Sequence, residues 1–125
     1  MESAVSGGVA GGSTRVQTMK DWLFNVYDKE LERFDIISEG HKLSATGRDI
    51  QIDPEDPEEG VWIERRTKRG YEPIMKAKIL HSDPGRVEFM YDSSLLPRKC
   101  LIAVHTRCGR GKDHKVVVCR HEVSA

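Results

Sequence analysis

Four bases stand within five positions at Arg65, Arg66, Lys68 and Arg69, and Tyr71 follows them. A hairpin tip bearing arginine can grip phosphates or enter a nucleic-acid groove, and a tyrosine beside it can stack on a base. A second basic loop holds Arg107, Arg110 and Lys112. If the two runs share one end of the fold, the local field is positive even though Lys and Arg sum to 20 and Asp and Glu sum to 20. Against that reading, Glu64 and Glu72 flank the first run, and turn tips carry charge into solvent whatever their role. The zero net charge excludes a chain-wide grip on DNA or on an anionic membrane.

The remaining constellations point less far. Residues 53–60 (DPEDPEEG) place five carboxylates in eight positions. Calcium wants clustered oxygen ligands on a loop, but the alternating acids and central glycine of an EF-hand are absent. The stretch therefore reads as a stiff, solvated acidic turn. Cys100, His105, Cys108, His114, Cys119 and His121 fall within 22 residues, with none of the usual zinc spacings. Cys100 and Cys119 are expected as small core hydrophobes. His105 and His114 are expected as cross-strand surface neighbours near a hairpin end. Cys108 has basic neighbours that would lower a thiol pKa, but no oriented base is evident. No Gly-x-Ser-x-Gly elbow, His-Glu-x-x-His helix or phosphate loop occurs. The expectation is a non-enzyme, with no catalytic residue, metal, cofactor or small-molecule substrate. An odd cysteine count without a leader pattern suggests the cytoplasm, and no apolar run reaches the roughly 18 residues of a membrane span.

The elements that would position these residues are mostly strands. A chain of 125 residues suits one domain. Residues 1–20 are small and glycine-rich, and are expected as a flexible tail or an edge strand around Val5 to Ala10. In 21–34, Leu23, Tyr27, Leu31 and Phe34 recur at helical spacing, and Asp21 could cap the start. Trp22, Phe24 and Val26 alternate like a strand, but the periodicity favours a short helix. From Phe34 onward the pattern is all-β. Strands are expected at 34–37, 41–46, 49–52, 61–65, in one or two pieces across 72–80, then at 86–91, 99–107 and 115–123. Pro73 marks an edge, and Ser82-Asp83-Pro84-Gly85 marks a turn. A tight turn between Gly109 and Arg110 would pair residues whose numbers sum to 219, setting Cys100 opposite Cys119. About seven short strands at such spacing predict an immunoglobulin-like β-sandwich over 21–125.

The order of signals also resembles a family. Gly47, Ile50, Ile52, Asp56, Pro57, Gly60 and Val61 lead into a Trp-centred strand. Leu96, Pro97, Leu101, Val104 and Thr106 follow later. This resembles the immunoglobulin-like C-terminal domain of unknown function that follows an HU-like DNA-binding domain in bacterial proteins, over roughly residues 36–123. Lys99-Cys100 stand where a glycine before an aromatic is expected. The segment 21–34 has no place in the pattern, and no HU-like segment precedes the match within this sequence. The resemblance therefore implies a fold and carries over no activity. Together these readings lead to a non-catalytic binding or assembly module. Its expected partner is a protein or a second copy, met at an edge strand or a loop. The alternative is a nucleic-acid accessory domain using Arg65, Arg66, Lys68, Arg69, Tyr71, Arg107, Arg110 and Lys112.

Overall fold

The computed structural model describes residues 18–19 and 22–125. Its strands are β1 (Thr18–Met19), β2 (Leu23–Asp28), β3 (Arg33–Phe34), β4 (Leu43–Gly47), β5 (Gly60–Thr67), β6 (Gly70–Lys76), β7 (Lys78–Asp83), β8 (Arg86–Met90), β9 (Lys99–Thr106) and β10 (Val117–Ser124). They form two five-stranded sheets, ordered β1-β10-β9-β5-β6 and β3-β2-β4-β8-β7. Only β1 on β10 is parallel among the paired strands. The result is the immunoglobulin-like sandwich. No helix occurs among the described residues, so none is long and apolar enough to cross a membrane. The strand considered at Val5 to Ala10 lies outside the described residues.

Alternation builds the core. Val61 and Ile63 on β5 pair with Val104 and Ile102 on β9. In the other sheet Val26, Ala45 and Val87 form one cross-strand row, and Leu43 pairs with Phe89. All nine side chains are fully buried in one cluster. Each contributes about 1.5–3 kcal/mol of apolar transfer, less for the alanine. Cys100 and Cys119 join the same cluster, as small hydrophobes should.

The helix expected across 21–34 is instead a strand, a turn and a second strand. A bulge on β2 leaves Phe24 without a partner on β4, between Leu23↔Gly47 and Asn25↔Thr46. The extra residue puts Leu23 and Val26, three apart, on the buried side. That spacing imitates a helix. Tyr27 and Phe34 then meet across β2 and β3, with ring centroids 4.8 Å apart. Asp28 makes the turn between them, accepting from the amides of Glu30 (2.9 Å) and Leu31 (3.0 Å).

Two further expectations shift. Residues 49–52 bury Ile50 and Ile52 but join no ladder. Their amides donate to Pro84 O (3.1 Å) and Ser82 Oγ (2.8 Å), so the segment lines the β7–β8 turn. In the β9–β10 hairpin, paired numbers sum to 223, with Cys119 opposite Val104 and Val123 opposite Cys100. The connection runs through 107–116, longer than a tight turn. Because the slip from 219 is even, every side chain keeps its expected face.

Among the described residues all four sheet edges are blunted. There β1 and β3 have two residues each. On β6 a bulge at Ile74 and the missing amide of Pro73 interrupt the ladder. On β7 a bulge falls at Leu80. β6 and β7 are nearly one strand that changes sheets at Ala77, whose amide donates to Val61 O at 2.8 Å.

One end of the sandwich carries a titratable clamp. His41 Nδ1 lies 2.9 Å from a carboxylate oxygen of fully buried Asp28. Burial pushes the Asp28 carboxyl up, but the Leu31 amide, His41 and the Glu30 amide outweigh it and hold it below the usual value. The bond to Asp28 raises His41, with burial opposing. A lowered acid stabilises above its unfolded pKa of 3.8, and a raised histidine stabilises below its unfolded pKa of 6.5. The clamp is therefore complete between those values. It is lost as pH rises through the raised His41 value, and also in acid as Asp28 protonates. In thermal melts, the advantage of the natural chain over His41→Ala should be largest near pH 5–6 and shrink by pH 9. An advantage that stays constant to pH 9 would rule the clamp out.

Candidate binding surface

The two basic runs sit at opposite ends of the five-stranded sheet. Gly60, at the start of β5, pairs with His105 near the 107–116 loop. Thr67, at the end of β5, pairs with Gly70 in the hairpin turn. Seven residues of strand separate them by about 23 Å. The two runs therefore build no common positive field.

Arg107 is a structural residue. Its side chain is only 11% exposed, its Nε lies 2.9 Å from Asp56, and its other nitrogens bond Glu58 and the carbonyl of His114. Its amide donates to Glu59 Oε1 at 3.0 Å. The acidic segment is correspondingly not a solvated turn, because Asp56 and Glu59 are 3% and 4% exposed. The Glu58 amide and then Arg107 hold the Asp56 carboxyl below its usual value. Burial pushes Glu59 up. The Asp56 bond raises Arg107 further. Acidic and basic loops are thus one assembly, joined through residues 51 apart in sequence. A groove of about 490 Å³ lies beside it, lined among others by Ile52, Ile79, Leu80, Gly109, Gly111 and Lys112. Arg110 and Lys112 are exposed on that loop. His114 lies in the loop, whereas His105 pairs with Val118 on β10, so the two histidines are not cross-strand partners. The Cys108 amide donates to Thr106 Oγ1 at 2.8 Å, and the neighbouring Arg107 charge is spent on carboxylates.

At the other end the β5–β6 hairpin projects as an arm. The ladder between β5 and β9 stops at Glu64↔Leu101. Beyond it Arg65, Arg66, Thr67, Lys68 and Arg69 are all exposed on a two-stranded ribbon. Arg65 is neutralised by Glu72 at 2.6 Å. Arg66, Lys68 and Arg69 have no ion pair among the described residues. The Arg69 amide donates to Thr67 Oγ1 (3.2 Å), which shapes the turn. Tyr71 is not an open stacking platform, because the Arg120 guanidinium lies 4.0 Å and that of Arg66 5.8 Å from its ring centre.

Sequence reasoning missed the residues behind the arm. Trp62, Glu64 and Arg66 alternate onto the outer face of β5. Glu64 is buried and bonds Arg120 Nε at 2.7 Å. The His105 ring lies 4.5 Å from Trp62, and Lys76 Nζ lies 4.7 Å above that indole. Gly60, at φ 155°, leaves room for Lys76, since a Cβ there would stand 2.7 Å from Lys76 Cε. The alternation of β5 was visible, but Arg120 reaches Glu64 only through the register of β10.

Comparison with known proteins follows the fold. Residues 23–118 match a family described as a domain of unknown function (DUF4469) with an immunoglobulin-like fold. The match begins at Leu23, so the segment that the sequence resemblance left out belongs to the domain. No curated protein matches the chain significantly. A solved protein from Bacteroides vulgatus, described as a "putative bacterial DNA binding protein", superposes with a TM-score of 0.63 at 16% identity. The superposition covers 94% of this chain and 51% of that one, so the chain spans about half its length. At that identity the likeness establishes the fold alone.

Proposed function

The chain belongs to this immunoglobulin-like family of unknown function, and from that premise we propose a non-catalytic binding module that grips a nucleic-acid duplex with the β5–β6 arm. The observation that carries the reading is the projecting ribbon with three cations unpaired among the described residues, Arg66, Lys68 and Arg69. A two-stranded ribbon fits a major groove, and free cations displace counterions from phosphates. The description of the Bacteroides vulgatus protein, "putative bacterial DNA binding protein", is compatible with the same class of partner. Blunted edges argue against partner capture by strand addition.

Fluorescence anisotropy with a labelled 12-base-pair duplex tests this. Three phosphate contacts give a slope of log affinity against log salt of about −3. The double variant Lys68→Glu/Arg69→Glu should abolish binding without changing the melting temperature, because both residues are exposed in a turn. No binding at low salt would discard the reading.

A further inference from the structure

The outer face of the five-stranded sheet is sealed by its own side chains. In a two-layer sandwich the outward residues normally meet water. Here Leu101, Ala103 and Val118 are 5%, 0% and 0% exposed, yet they lie outside the core cluster between the sheets. Their cross-strand neighbours form ordered rows. One runs Lys76, Trp62, Ala103, Arg120, and the next runs Pro73, Glu64, Leu101, Glu122. The contacts are continuous. Lys76 lies over Trp62, Trp62 lies against His105, and His105 Nε2 is 3.9 Å from Glu64. Glu64 holds Arg120, and Arg120 lies over Tyr71. His105 Nε2 is buried without a hydrogen-bond partner among the described residues.

Such a layer has the composition of an interface centre, where Trp, Tyr and Arg dominate. Its inner members, Glu64, Leu101, Ala103 and Val118, are buried and lose no further rotamer freedom on binding. The charge on the face is one-sided. Lys76 and Arg66 have no ion pair among the described residues, while the inner carboxylate, Glu64, is buried and engaged by Arg120. In these rows the exposed carboxylate is Glu122, at the β10 side.

We propose that this face docks a protein segment rich in carboxylates. Its acids pair with Lys76 and Arg66, and its apolar side chains pack at Trp62. The inference shares with the preceding reading the idea of a binding module and one cation, Arg66. The Trp62–Lys76 end lies about 13 Å along β5 from Arg66, so it stands or falls separately from the arm.

The probe is an octapeptide alternating Glu with Phe and Leu, titrated into the isotope-labelled chain and followed by NMR. The Trp62 indole, identified by Trp62→Phe, should shift saturably. Lys76→Glu should weaken binding about tenfold or more. The Lys68→Glu/Arg69→Glu variant should bind the peptide unchanged, which separates this face from the arm. The same peptide with Lys in place of Glu should not bind. The proposal is overturned if Trp62 does not respond up to about 1 mM peptide, if the lysine peptide binds equally, or if Lys76→Glu has no effect. It is also overturned if a DNA duplex shifts Trp62 and competes with the peptide there, since the face would then belong to nucleic acid.

Discussion

Arg107→Ala is expected to lower the melting temperature by about 10 °C or more. The guanidinium is held by Asp56 and Glu58 and bonds the carbonyl of His114, so its loss strips partners from both loops at once. Asp56 would lose its cation and would sit buried beside Glu59, with the Glu58 amide still donating to its carboxylate. Burying an uncompensated charge is the costly outcome, more than losing the pair itself. Arg107→Lys should recover only part of the loss, because an ammonium cannot reproduce the planar fork. Arg110→Ala and Lys112→Ala should leave the melt unchanged, since both are exposed. Equal melts for Arg107→Ala and Arg110→Ala would show that the loop assembly does not stabilise the fold.

The second large effect lies on the outer face. Arg120→Ala is expected to destabilise the chain by about 3–5 kcal/mol in urea unfolding, because Glu64 stays buried without its cation. Glu64→Gln/Arg120→Ala should recover most of that loss, since an amide is cheaper to bury than a carboxylate. Burial pushes the Glu64 carboxyl up, but neighbouring His105 and Arg120 outweigh it and hold it low. The contribution of the pair is therefore present at neutral pH and fades in acid as Glu64 protonates. A single-variant cost below about 1 kcal/mol would place the pair with ordinary surface bridges instead.

The strands were legible wherever burial imposed a strict period of two. Val87 and Phe89 show it on β8, with Tyr91 just past its end, and Val61 and Ile63 show it on β5, each set buried as the alternation required. Segment 21–34 was misread because Leu23, Tyr27, Leu31 and Phe34 recur at helical intervals, although Leu31 lies in an exposed turn and Tyr27 and Phe34 meet across two strands. The hairpin register slipped because the short turn assumed at Gly109 ignored the loop that Arg107 organises. That organisation has no local signature. Asp56 and Arg107 each look like surface charge until the sandwich brings their loops together. The arm was readable as a run of cations between two strands. Its separation from the second basic loop was not, because only the pairing of β5 with β9 sets them at opposite ends.

The blunted edges have a consequence for crowding. Exposed ladders act as templates on which other chains can extend a sheet into a fibril. Among the described residues two edges are two residues long and two are interrupted by bulges, so little regular ladder is offered for another chain to extend. A largely β protein built this way can be held at high local density, as when many copies line a shared polymer, without the sheets fusing.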